Sequence, residues 1–217
     1  MKIPALLNNA VMAVLFAAAL INTTGAHAID ANDIRKRVEK TVSSLKAVSC
    51  SFEQTQVMQA TGRSRVIEGV VRQKNDPYRL RLEYPAQTIV VDGENVWHYI
   101  PRNKQVTVQE FMRDERTFPT PHDILMRYLD RGKAVYAGDE IVAGRQCWKL
   151  TVDGGDTEED VAVWIDRKLA FPIKSQHVTA SGDTVTYILR DVVLNGSLND
   201  EIFEYTVPDG VELIDLR

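Results

Sequence analysis

Outside the first 28 residues, the side chains best suited to ligate a metal or act as nucleophiles are His98, His122, His177, Cys50 and Cys147. A metal centre built on a helix places its second ligand three or four positions from the first, and none of these histidines has such a neighbour. A three-histidine site would need three separate elements to converge, so isolated, hydrogen-bonded histidines are the simpler expectation. Asp153, Asp156, Glu158, Glu159 and Asp160 crowd a glycine-containing loop, but their spacing is not that of a calcium loop. They read as a solvated hairpin tip, which does not hold two carboxylates at the separation that general acid–base chemistry needs. No G-x-S-x-G, H-E-x-x-H, P-loop, G-x-G-x-x-G or C-x-x-C is present. The expectation is a protein that is not an enzyme, with no metal and no cofactor.

Composition narrows the remaining classes. The chain has 217 residues, 44% of them apolar, and a formal net charge of −4. That balance excludes collagen-like and disordered chains, and it lacks the basic footprint of a nucleic-acid partner. Val11 to Ile21 is an unbroken apolar run behind Lys2, and Ala26-His27-Ala28 has the form of a cleavage site. The run is too short to cross about 30 Å of hydrocarbon as a helix, so residues 1–28 are expected to be a cleaved signal peptide. Residues 29–217 would then be a single exported domain, expected to be monomeric. Export exposes Cys50 and Cys147 to an oxidising compartment. A bridge between them and two buried unpaired thiols both fit the sequence. Cys50 is not a lipid-attachment cysteine, because Lys46 and the polar Thr41 to Ser44 stretch stand where an apolar run would be required.

The elements that would position any site follow from periodicity. Ile34, Val38, Val42 and Leu45 make one apolar stripe, which predicts a helix from Asp30 to about Lys46, capped by Asp30 or Asn32. From Val48 onward the period becomes two. Tyr78, Leu80, Leu82 and Tyr84 alternate with Arg79, Arg81 and Glu83. Further strands are predicted over 51–59, 65–74, 88–91, 96–100, 105–109, 134–142, 146–152, 160–165, 173–179 and 184–194. Turn chemistry separates them, as at Asp92-Gly93 and Ser181-Gly182-Asp183. About eleven short strands describe a meandering antiparallel sheet curled into a barrel or part-barrel.

Thr120-Pro121-His122-Asp123 opens a second helix, whose stripe Ile124, Leu125, Tyr128 and Leu129 ends at Gly132. Several strands, among them Ile89-Val90-Val91 and Val96-Trp97-His98-Tyr99, are apolar on both faces. Two dry faces need two coverings, or one face lines a cavity.

These segments together resemble the LolA family of periplasmic outer-membrane lipoprotein carriers. Ser51-Phe52-Glu53-Gln54 resembles its opening strand, and Asp76-Pro77-Tyr78 to Tyr84 its proline-started third strand. Asp92-Gly93-Glu94-Asn95-Val96-Trp97-His98-Tyr99-Ile100-Pro101 is similar to its most specific hairpin. Phe118-Pro119-Thr120-Pro121 to Arg127 resembles a lid, and Phe203 to Val211 a closing strand. The resemblance implies a mainly β (α+β) fold, an unclosed antiparallel barrel with a helical lid over an apolar cavity for lipoprotein acyl chains. It also implies loading from an inner-membrane ABC transporter and delivery to an outer-membrane acceptor. The expected lining is Leu80, Leu82, Trp97, Tyr99, Ile124, Leu125, Tyr128 and Leu129.

One position departs from the family. The arginine usual before the third-strand proline is Asp76 here, which leaves Arg79 or Arg81 as substitutes for lid control. A same-fold sensing module in an envelope response is the alternative. Regulators of that kind usually carry a further C-terminal domain, which the stretch after Gly210 is too short to hold.

Overall fold

The computed structural model describes residues 29–112, 126–127, 129, 133–152 and 161–217. The chain enters through helix α1 (Ala31–Ser43). Asp30 caps it, its carboxylate accepting the Asp33 N–H at 2.8 Å. The helix is shorter than its apolar stripe suggests: Ile34 and Val38 are buried within it, whereas Leu45 is buried beyond its end.

Twelve strands follow: β1 (Ala47–Val57), β2 (Ser64–Asn75), β3 (Tyr78–Tyr84), β4 (Gln87–Val91), β5 (Asn95–Ile100), β6 (Gln105–Glu110), β7 (Ala134–Val142), β8 (Arg145–Val152), β9 (Val161–Asp166), β10 (Phe171–Val178), β11 (Thr184–Leu194) and β12 (Glu212–Asp215). They form one sheet in the order β12-β6-β5-β4-β3-β2-β1-β11-β10-β9-β8-β7. Consecutive strands pair from β1 to β6 and from β7 to β11, and the long β1 joins the two halves by pairing β2 on one side and β11 on the other. The outermost strands, β12 and β7, do not pair with each other, so the sheet is unclosed.

Two expectations change at the C-terminus. The predicted closing strand over Phe203 to Val211 is not a strand: Asp200–Phe203 is a 3-10 turn, and the pairing segment is β12. β12 also runs parallel to β6, the one parallel pair among the described strands. The segment returns across the sheet rather than turning back in a hairpin, so it meets β6 in the same direction.

Register decides which side chains share a face, because directly opposed residues lie on the same side. Leu80 opposes Val91, which opposes Val96; Leu82 opposes Ile89, which opposes His98. Val163 opposes Leu150 across β9 and β8. Helix α1 packs on this second group: Ile34 and Val38 meet Trp148, Leu150, Val152, Val161, Val163 and Ile165. The side bearing α1 is called inner here. A second apolar cluster lies mainly over β1–β5, with Val48, Phe52, Val71, Leu80, Leu82 and Ile89 at its centre.

The outer face of β3–β6 is covered differently. A strap formed by residues 200–211 crosses it before the chain enters the edge strand β12. Phe203, at the start of the strap, is fully buried, Tyr205 stacks on Trp97 with ring centroids 5.6 Å apart, and Arg217, after β12, stands 5.9 Å over the same indole. Val90, Val106 and Val108 are fully buried under it. The second dry face of β4 and β5 is therefore a packed exterior.

Candidate binding face

The inner face of β1–β5 is the apolar surface on which the predicted lining can be judged. Leu80 and Leu82 lie on it, nearly inaccessible, between half-buried Tyr78 and Tyr84. Tyr78 stacks on Phe111 at 5.3 Å, and Tyr84 meets Phe52 edge-on at 6.3 Å. Gly69 permits that arrangement: a β-carbon there would stand 2.5 Å from the Phe52 ring and 2.4 Å from the Glu83 carbonyl.

Trp97 and Tyr99 do not join Leu80 and Leu82. Trp97 opposes Val90, which opposes Arg81, and Tyr99 opposes Thr88, which opposes Glu83. Both aromatic residues belong to the outer face, where the strap holds Trp97. The Asp92-Gly93 turn locks it further. The Asp92 carboxylate accepts the backbone N–H groups of Glu94 and Asn95 at 2.9 and 2.7 Å and the Trp97 indole N–H at 2.8 Å. Burial pushes the Asp92 carboxyl up, but these bonds together leave it below the ordinary carboxylate value.

Arg79 and Arg81 occupy the same outer face, and the segment that resembles a lid lies largely outside the described residues. Arg79 pairs with Asp200 at 3.3 Å, and Arg81 donates to the Ile202 carbonyl at 3.1 Å. Both hold the strap. Asp76, at the position where an arginine is usual, is exposed in the β2–β3 turn.

Leu129 is helical and almost fully buried against Ile34, Val38 and Trp148, under α1 and on the inner face. Ile124, Leu125 and Tyr128 lie outside the described residues, as do His122, the acidic loop and the leader.

The inner face carries one polar chain at its β3–β4 rim. The Gln87 side-chain amide donates to the Tyr84 hydroxyl, and its carbonyl oxygen is 2.6 Å from His98 Nε2. Burial lowers the His98 pKa. The neighbouring Gln87 was not anticipated, although the odd-numbered alternation of β4 contains it. Among the described residues no cluster of three or more His, Cys, Asp or Glu could hold a metal, and no helix is long and apolar enough to cross a membrane.

The cysteines are free and buried. Cys50 projects inward with Phe52. Cys147 belongs to the same buried cluster but sits on β8, and β11, β10 and β9 separate its strand from β1. A disulfide needs Cα atoms within about 7 Å, which this placement does not provide, so the bridge is replaced by two buried thiols. Desolvation pushes Cys50 up to about 12 and Cys147 to about 11.

The described residues thus form an open, largely antiparallel sheet with an apolar inner face and a helix packed over one half of it. The family model described as outer membrane lipoprotein carrier protein LolA matches residues 43–206, and the chain belongs to that family. An outer-membrane lipoprotein carrier protein of Actinobacillus pleuropneumoniae is 23% identical over 92% of this chain and 91% of its own length. One from Histophilus somni is 26% identical over 90% and 91%. The fold is also found in an uncharacterised conserved protein of Thermus thermophilus, with TM-score 0.56 at 12% identity over 85% of this chain and 98% of that one. The Mycobacterium tuberculosis lipoprotein LppX has TM-score 0.50 at 13% identity, over 76% of this chain and 95% of that one.

Proposed function

We propose that this protein is a periplasmic lipoprotein carrier that holds acyl chains against its inner face and ferries them from the inner to the outer membrane. The observation that carries the reading is the family match over residues 43–206, on a fold whose inner face bears the apolar group Leu80, Leu82, Ile89 and Val91. The physical need is large. Each methylene kept from water is worth about 0.8 kcal/mol, so one sixteen-carbon chain costs about 12 kcal/mol to expose. No protein with bare acyl chains crosses an aqueous compartment at that cost.

The chain performs no bond-breaking step in this reading; it binds, shields and releases. Energy for loading comes from an inner-membrane ABC transporter, and an outer-membrane acceptor takes the cargo. Release requires a grip weaker than the acceptor's, which suits an aliphatic face with few directional contacts. Residues 1–28 serve as the export signal, residues 29–217 act as one domain, and the working form is a monomer.

The test is release of a radiolabelled lipoprotein from inner-membrane spheroplasts. The expected result is a soluble one-to-one complex with the added carrier. Lipoprotein that stays in the membrane, with the carrier folded and its transporter present, contradicts the reading.

A further inference from the structure

The sheet has a step in it. β2 pairs with β1 along its whole length, from Ser64 to Lys74, but with β3 only from Val70 onward. β3 stops at Tyr84, and Pro85, which has no N–H, turns the chain away into β4. Six residues of β2, Ser64 to Gly69, therefore have a strand on one side only among the described residues.

Their backbone direction can be read from one bond. The Met58 N–H donates to the Arg63 carbonyl at 2.9 Å, which makes Met58–Arg63 a hydrogen-bonded pair. In an antiparallel ladder such pairs alternate, so Arg65, Ile67 and Gly69 bond to β1. Ser64, Val66 and Glu68 then turn their N–H and C=O groups outward, in line with Val70, Arg72 and Lys74, which bond to β3. All three are exposed, Val66 at 54%.

A depression lies on each side of this step. The one mainly on the inner side, about 440 Å³, is bounded by Arg65, Val66, Ile67, Tyr84 and Ala86; the one mainly on the outer side, about 470 Å³, is bounded by Ser51, Glu53, Val70 and Arg190, with Phe52 and Gly69 at its floor. Glu68 and Pro85 border both. Ile67 and Tyr84 also pack against the apolar cluster of β1–β5, so the inner depression opens onto the proposed acyl-chain face.

We propose that this step binds an extended peptide by strand addition, and that the peptide is the segment of the cargo lipoprotein next to its acylated residue. A strand laid along Ser64–Gly69 would meet three outward N–H and C=O pairs. It would send alternate side chains into the two depressions, as the period of two requires. Its backbone contacts are indifferent to sequence, which suits a carrier of many cargoes. A second copy of this chain fits less well. Antiparallel pairing of two β2 edges would drive each copy's Gln59–Gly62 loop into the other's Pro85–Ala86 turn.

This inference rests on the carrier reading, and the experiment separates the two. The full-length chain, exported and purified from the periplasmic fraction, is titrated with two probes. One is a triacylated cysteine amide; the other is the same lipid bearing a seven-residue Ser/Asn/Ala tail. The tail is expected to tighten binding about tenfold. Val66→Pro, which removes an outward N–H at a site where an edge strand tolerates proline, is expected to abolish that gain and leave the amide's affinity unchanged. In the unaltered protein the tailed probe should slow hydrogen exchange at the Val66 and Glu68 amides, and the amide probe should not. Equal affinity for both probes, a gain that survives Val66→Pro, or dimerisation protecting the same amides would each overturn the proposal. Binding of neither probe would overturn the carrier reading itself.

Discussion

The two halves of the sheet are dried in opposite ways. Over β7–β10, helix α1 and Leu129 cover the inner face, and Ile34, Val163, Leu150 and Ile165 are almost inaccessible. Over β3–β6 the covering described is the C-terminal strap, and it lies outside. The first half is ordinary core. In the second, Val90, Val106 and Trp97 are anchored from the exterior, and Leu80, Leu82 and Ile89, themselves buried, belong to an inner-face cluster against which α1 sets Val42. Apolar residues on both faces of one strand thus have two meanings in this molecule, and only the face tells them apart.

Thiol chemistry gives the largest contrast. With Cys50 held at about 12 against an ordinary 9.0, thiolate at pH 8 is about a thousandfold scarcer than in an unfolded chain; for Cys147, at about 11, it is about a hundredfold scarcer. Mass spectrometry after alkylation should show no adduct on the folded protein and two after denaturation without reductant. A denatured protein with no adducts would mean the thiols were paired.

Substitutions sharpen the comparison further. Ile34→Ala empties core beneath α1 and should lower the unfolding free energy by about 2–5 kcal/mol in denaturant titration, with cargo release per folded molecule unchanged. Tyr205→Ala removes the Trp97 stack and should cost about 1 kcal/mol, accompanied by a change in Trp97 fluorescence. A cost for Tyr205→Ala as large as that for Ile34→Ala would make the strap part of the main core.

The smallest effect belongs to His98. Burial lowers its pKa from the ordinary 6.5, so the folded state favours the neutral ring. The stability it contributes is complete above the unfolded pKa and is lost as pH falls through the lower folded value. Between pH 7 and pH 5 the native protein should therefore lose more stability than His98→Gln. Parallel curves would remove His98 from the account.

Much of the architecture was legible in the residues. The alternation from Tyr78 to Tyr84 places Leu80 and Leu82 together, and Asp30 caps the helix its sequence announces. The side on which Trp97 falls was not legible. A one-residue change of register moves every side chain of a strand to the other face, and the Pro85–Ala86 turn between β3 and β4 and the Asp92–Glu94 turn between β4 and β5 set that register through backbone pairing. The strap was equally hidden. Phe203, Tyr205 and Arg217 share no period, and only the fold shows that they meet Lys74 and Trp97 on one surface. Asp200 and the Ile202 carbonyl explain why Arg79 and Arg81 are half-buried.

Site-specific photocrosslinking shows whether cargo meets the inner face of β3–β5. Tyr84 and Tyr99 are both half-buried tyrosines, and register puts them on opposite faces. With benzoylphenylalanine at each position in turn, a radiolabelled lipoprotein released from spheroplasts should crosslink at Tyr84 and not at Tyr99. Crosslinking at Tyr99 alone would place the cargo on the strap side and contradict the account.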